Sequence, residues 1–211
     1  MNKSKPSLPG TTVLLVRHAY STMAGRFCGH SDAPLSDAGQ KQLCEIAEHL
    51  ERWPIAKVYT SDLKRARATA AAIAARRSVP LVVRAGLREI NFGKWEGLTW
   101  KEIEATAPAA ASSWLSRYPR RAAPGGQSLK QYRLQVETEL RGILKEVGQD
   151  CIAIVTHAGF IRAALVNILD IAEESMHQVE IDYGGITILH YTQQSWRVRG
   201  INLCNLPSPP A

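Results

Sequence analysis

The chain has 211 residues, 45% hydrophobic and 21% charged, with 26 Lys and Arg against 19 Asp and Glu and a formal net charge of +7. This composition fits one globular domain with a sizeable core and argues against a disordered chain. No apolar run approaches the ~20 residues of a membrane span, and the basic side chains are scattered, so neither a membrane nor a nucleic-acid partner is expected.

Residues 1–10 and 207–211 read as loose tails, and the first ten residues lack the apolar core of a secretory signal. The stretch Thr12-Val-Leu-Leu-Val-Arg17-His18 is an apolar, β-branched run that ends in two cationic or cationisable side chains. It predicts a buried strand of a largely parallel sheet, and the C-terminal ends of such strands are where ligands bind. A loop containing Gly25, Gly29 and Asp32 follows. Ser36 caps a predicted helix running to about Arg52, with Leu43, Ile46, Ala47 and Leu50 on its core face. Lys57 to Thr60 reads as a strand. Ser61 and Asp62 then stand where they could cap an alanine-rich helix over Leu63 to Arg77. Arg65 falls in the first turn of that helix, where a cation opposes the helix dipole.

Pro80 to Val83 predicts a third strand, and Leu87 to Gly97, with Glu89 inside it, a structured loop. Trp100 to about Tyr118 is weakly helical and interrupted by Pro108. Gln127 to Val147 is an amphipathic helix with Leu129, Tyr132, Val136, Leu140 and Leu144 inward. Cys151-Ile-Ala-Ile-Val-Thr156-His157 repeats the plan of the first strand, and Ala158 opens a helix that buries Leu165 and Ile168. Glu180 to Tyr183, Ile186 to Tyr191 and Trp196 to Arg199 predict closing strands, with Gly184-Gly185 as a turn. The four cysteines, Cys28, Cys44, Cys151 and Cys204, have no metal or disulfide spacing, which fits a reducing cytoplasm.

If the two histidine-terminated strands end side by side, with Arg17 and Arg65 nearby, the pocket offers a cluster of donors to an oxyanion. Arginine forks match phosphate oxygens, and the amides after His157 begin a helix. Zinc fits poorly, because the arginines repel it and no third ligand stands at metal spacing. The bland alternative is two core-edge histidines without a shared task.

Five blocks in order resemble the histidine phosphatase superfamily, in the branch of phosphoglycerate mutases and small-molecule phosphatases. They are Leu-Val-Arg17-His18-Ala, the loop Gly25 to Ser36, Tyr59-Thr-Ser61-Asp62-Leu-Lys-Arg65-Ala-Arg-Ala-Thr69, Leu87-Arg-Glu89 to Gly97, and Val155-Thr156-His157-Ala-Gly-Phe-Ile-Arg162. The resemblance implies a three-layer α/β/α sandwich with a mostly parallel central sheet, phosphoglycerate mutase-like. It implies His18 as nucleophile, Arg17, Arg65 and His157 as holders of the phosphoryl oxygens, and Glu89 as general acid and then base. Ala158, Ser21, Thr22, Cys28 and Gly29 would line the substrate. No metal or cofactor is implied.

The chain departs from the family at Ala19 and Tyr20, where Gly and an acidic residue are usual, and the usual loop asparagine has no clear match. Within the family it looks most similar to the α-ribazole phosphatases of cobalamin biosynthesis, through its short loop, Gly29-His30, Phe92 to Glu96 and Pro124 to Ser128. A phosphoglycerate mutase and a non-catalytic phosphate-binding module are the alternatives. Arg120-Arg121 could serve a mutase or simply be a solvated loop. The expected partner is a small anionic phosphorylated substrate. The oligomeric state is left open, a homodimer included.

Overall fold

The computed structural model describes residues 10–117, 120–204, 206, 207 and 209. Most of both expected tails, together with Tyr118 and Pro119, lie outside the described residues. Six strands form one sheet: β1 (Thr11–Arg17), β2 (Ile55–Thr60), β3 (Leu81–Val83), β4 (Cys151–Thr156), β5 (Ile186–Thr192) and β6 (Ser195–Leu203), in the spatial order β3-β2-β4-β1-β5-β6. The first four run parallel to their neighbours, and β5 and β6 are antiparallel additions on one side.

Strand periodicity divides the core. Val13 and Leu15 of β1 join Ile152 and Ile154 on one face, against α5 (Leu129–Glu146) and α6 (Ala158–Leu169). Leu14 and Val16 join Ala153 and Val155 on the other, against α1 (Asp37–His49) and α2 (Lys64–Arg77). Because both faces are covered, β4 is buried along its whole length. The result is the expected three-layer α/β/α arrangement. A third, smaller cluster lies apart from the sheet. There α3 (Trp100–Thr106) and α4 (Pro108–Leu115) pack Trp95, Ile103 and Ala111 with Phe27, Phe92, Trp100 and Trp114. The break between these helices falls at Ala107, with Pro108 starting α4, as the sequence predicts.

Ser36 caps α1, accepting from the Gly39 amide at 3.2 Å. Two local expectations fail. Ser61 and Asp62 do not cap α2, whose N-cap is Leu63 without a side-chain bond. The Lys64 amide is taken instead by Asp32, 2.7 Å away. Glu180 to Tyr183 is not a strand but the approach to a turn at Tyr183-Gly184. Its alternating pattern arises because Ile181 points into the core while Gly184 N–H donates to the Arg17 carbonyl. Ile168 is half-buried rather than buried. The cysteines are all free, and burial pushes the Cys151 thiol up to about 12. No helix among the described residues is long and apolar enough to cross a membrane.

Candidate active site

The parallel pairing of β1 with β4 sets Arg17 opposite Thr156, and the His18 amide donates to the Thr156 carbonyl at 3.0 Å. One residue further on, both strands deliver a histidine to the same edge of the sheet. The rings of His18 and His157 have centroids 5.0 Å apart at 62°. Both are buried, at 5% and 0% exposure.

The partners of His18 assign its tautomer. Nδ1 lies 2.7 Å from the Ala19 carbonyl oxygen, so it carries the proton. Arg65 Nε–H donates to Nε2 at 3.2 Å, so that nitrogen presents its lone pair. Burial, and then the Arg65 and Arg17 charges, hold its pKa well below the ordinary value, so the ring is neutral. His157 is held neutral in the same way, first by burial and then by His18, Arg65 and Arg17. Its Nε2 lies 2.9 Å from Ser61 Oγ, while its buried Nδ1 has no partner among the described residues.

Arg65, 1% exposed, points from the first turn of α2 into the bend that follows β1. It donates to the carbonyls of Cys28, Gly29 and Ser31 at 3.1, 2.8 and 2.7 Å. These carbonyls answer the dipole conflict seen in the sequence. The loop is held in turn by Glu96, whose carboxylate accepts from the amides of Gly29, His30, Ser31 and Phe92 and from Ser31 Oγ. Burial alone would raise the Glu96 pKa, but these hydrogen bonds outweigh it and hold the carboxyl below its usual range. A side chain at Gly29 would collide with the Ile90 carbonyl, at 2.1 Å from its Cβ.

Arg17 stacks on Tyr183, its guanidinium carbon 3.5 Å from the ring centroid, and donates Nη1–H to the Ile181 carbonyl at 2.6 Å. Its buried Nε–H has no partner among the described residues. Opposite stands Glu89, 8% exposed. Its oxygens accept from Gly159 N–H at 2.9 Å, Ile90 N–H at 2.9 Å and Tyr132 O–H at 3.1 Å. The Glu89 loop is pinned to β4, where Thr156 Oγ1 donates to the Leu87 carbonyl at 2.7 Å. At Gly159 a Cβ would sit 2.1 Å from the Glu89 carboxylate, so only glycine allows this contact.

One cleft is therefore lined by Arg17, His18, Arg65, Glu89, Ala158 and Tyr183. Ser21 and Cys28 also border it. Burial raises the Cys28 thiol pKa. Gly29 is not among the residues lining the cleft and acts through its carbonyl on Arg65; His157 meets the His18 ring edge to face. Thr22 does not line the cleft; its amide and hydroxyl both turn to the Pro34 carbonyl. A second compartment adjoins this one, with Ile90, Trp114, Met176 and Arg121 in its walls. Glu89, Phe92 and Arg162 border both. Arg121 bonds Ser113 Oγ at 2.7 Å there, while Arg120 pairs with Glu174 at 2.6 Å.

Several residues of this site escape a reading of the sequence. Ser61 and Asp62 look like helix caps, yet Ser61 serves His157 and Asp62 pairs with Arg88 beside Glu89. Glu96 and Tyr132 give little local signal, since all their partners except the Phe92 amide lie 43 to 67 residues away. Tyr183 was hidden in an expected strand. Arg162 was legible only as part of a motif block.

The histidine phosphatase superfamily (branch 1) matches residues 13–203 of the chain. A metal-independent phosphoserine phosphatase of Arabidopsis thaliana is 34% identical over 192 residues, covering 88% of this chain and 79% of that protein. Phosphoserine phosphatase 1 of Hydrogenobacter thermophilus is 26% identical over 197 residues, covering 92% and 93%. Among solved structures, a putative α-ribazole-5′-P phosphatase from Escherichia coli superimposes with a TM-score of 0.86 at 21% identity, over 94% of this chain and 98% of that one. A mycobacterial glucosyl-3-phosphoglycerate phosphatase superimposes with a TM-score of 0.80 at 25% identity, over 90% and 98%.

Proposed function

The chain belongs to the histidine phosphatase superfamily, and from that premise we propose that it hydrolyses small phosphomonoesters through a phosphohistidine at His18, without a metal. The observation that carries this reading is the neutral His18 ring, its Nε2 lone pair aimed among guanidinium donors. Nε2 attacks phosphorus and the ester P–O bond breaks. Glu89 gives its proton to the departing alkoxide. As Nε2 takes up the phosphoryl group, Arg65 Nε–H exchanges the ring nitrogen for a phosphoryl oxygen. Arg17 Nε–H and His157 Nδ1, both buried without partners among the described residues, are suited to the remaining oxygens. The Nδ1–H bond to Ala19 steadies the charged phosphoimidazole. Glu89 then takes a proton from water, whose oxygen attacks phosphorus, breaking the N–P bond and releasing inorganic phosphate.

The sequence blocks favour α-ribazole 5′-phosphate as substrate, which would put the enzyme in cobalamin biosynthesis. The relatives named as phosphoserine phosphatases support a smaller ester instead. We read residues 1–211 as a single histidine phosphatase domain with tails at 1–10 and 207–211, and four unpaired cysteines support a reducing cytoplasm as its setting. The test is phosphate release from α-ribazole 5′-phosphate, phosphoserine, 3-phosphoglycerate and p-nitrophenyl phosphate in the presence of EDTA. The variant His18→Ala should lose about 10⁴-fold or more in kcat. Undiminished release by that variant would sink the mechanism. Bisphosphoglycerate-dependent conversion of 3- to 2-phosphoglycerate would make the protein a mutase, and no turnover by the folded wild type would make it a binding module.

A further inference from the structure

The phosphoryl pocket accounts for Arg17, His18, Arg65 and His157 and leaves Arg162 without a task. Arg162 opens the second turn of α6, three residues after Gly159, whose amide holds Glu89. Residues at that spacing share a helix face, with Cβ positions about 5–6 Å apart. Its side chain borders both the phosphoryl cleft and the compartment beyond Glu89. Nε–H donates to the Val179 carbonyl at 2.7 Å, which fixes the plane of the guanidinium. Its terminal nitrogens have no hydrogen bond or ion pair among the described residues. They form a pre-oriented fork, the geometry that takes a carboxylate in two parallel hydrogen bonds.

The charge balance agrees. Arg17, Arg26, Arg65 and Arg162 line the phosphoryl cleft with Glu89 as the single carboxylate among its lining residues. Arg26 is already paired with Glu102 at 3.0 Å. Asp182 acts on Arg17 from outside the cleft, where it bonds Asn202. A phosphate dianion answers two of the three remaining guanidiniums. Arg17 and Arg65 are the two that act on His18, which leaves Arg162 as the third.

We propose that Arg162 binds a carboxylate on the alcohol part of the substrate, so that the preferred substrates are phosphate esters of small hydroxy acids. This rests on the phosphatase reading above. The ester oxygen must sit at Glu89 to receive its proton. A carboxylate two carbons away reaches about 4 Å further, toward the next position on that face of α6. The apolar walls beyond, Ile90, Trp114 and Met176, leave room for the carbon skeleton, and the other cation there, Arg121, is already bonded to Ser113 Oγ. α-Ribazole 5′-phosphate carries no such carboxylate.

The experiment uses pairs of esters that differ in this group: phosphoserine against phosphoethanolamine, and 3-phosphoglycerate against glycerol 1-phosphate. The wild type should favour the carboxylated member by about 10- to 100-fold in kcat/KM, the range of a charge-assisted hydrogen bond. Arg162→Met should bring that ratio to within about threefold of unity, whatever loss both members share, and Arg162→Lys should keep part of it. A wild-type ratio near one, a ratio untouched by Arg162→Met, or a preference for α-ribazole 5′-phosphate over phosphoserine overturns the proposal. If the wild type releases phosphate from none of these esters or from p-nitrophenyl phosphate, the phosphatase reading fails instead. Calorimetric binding of phosphoserine and phosphoethanolamine to His18→Ala then still reads the carboxylate preference directly.

Discussion

At the phosphoryl end of the cleft, His18, Arg65 and His157 are almost wholly buried, and their contacts come from strand ends, a helix start and a clamped loop. At the alcohol end, Trp114, Arg121 and Arg162 line a compartment whose outer wall belongs to the separate aromatic cluster of α3 and α4. The first region is a chain of obligatory partners: Glu96 holds the loop amides, the loop carbonyls hold Arg65, and Arg65 holds His18. The second relies on ring packing, with Trp114 5.5 Å from Trp95 and 5.7 Å from Trp100 between centroids, and on Arg162, whose terminal nitrogens have no hydrogen bond or ion pair among the described residues. On the proposed reading, the phosphoryl site is wired rigidly, and the compartment that would read substrate identity is assembled from replaceable contacts.

That contrast can be broken by experiment. The largest effect should come from Glu96→Ala, which touches no substrate. It strands five donors, Gly29, His30, Ser31 and Phe92 amides and Ser31 Oγ, and frees the carbonyls that aim Arg65. We expect kcat to fall about 100-fold for every ester and the melting temperature to drop by about 5–10 °C. A variant with normal kcat would show that the loop does not aim Arg65.

A second effect reads the burial of the histidines. Both are held neutral, with pKa values depressed well below 6.5. Below that pH the unfolded chain takes up protons that the folded chain refuses. The stability present above pH 6.5 is therefore lost as pH falls toward the folded values, by about 1.4 kcal/mol per pH unit for each ring. Urea midpoints measured from pH 7 downward should show that slope, and His157→Gln should reduce it by one proton. An unchanged slope would mean that the rings charge inside the fold.

The smallest effect belongs to the alcohol end. Trp114→Leu removes ring contacts worth about 0.5–1.5 kcal/mol, so the melting temperature should fall by about 1–6 °C while kcat holds near the wild type. A loss of kcat as large as that of Glu96→Ala would erase the distinction between the two regions.

The same contrast governs what could be read from sequence. The strand ends carrying Arg17-His18 and Thr156-His157 were legible because a short apolar run that stops at a polar residue has few other meanings. Arg65 stood out because it violates the helix dipole, and its three carbonyl partners explain how the violation is tolerated. Ser61 and Asp62 were misread because a local rule, helix capping, competes with distant partners that the rule cannot see. Tyr183 was misread because Glu-Ile-Asp-Tyr alternates like a strand, although its backbone is committed to a turn against Arg17. Arg162 acquires meaning only from what it lacks, and an unfilled donor leaves no trace in a sequence.

The position of β1 has a consequence for how such a chain is made. It is the first strand in sequence, yet its two neighbours in the sheet are β4 and β5, which begin at Cys151 and Ile186. During synthesis Thr11 to Arg17 emerges early, apolar on both faces, and waits for the last third of the chain before either edge can pair. His18 acquires its surroundings at the same late moment. A nascent or nicked fragment ending before β4 has neither the neighbouring strand nor His157, so the His18 pocket is assembled only when the sheet closes around its oldest strand.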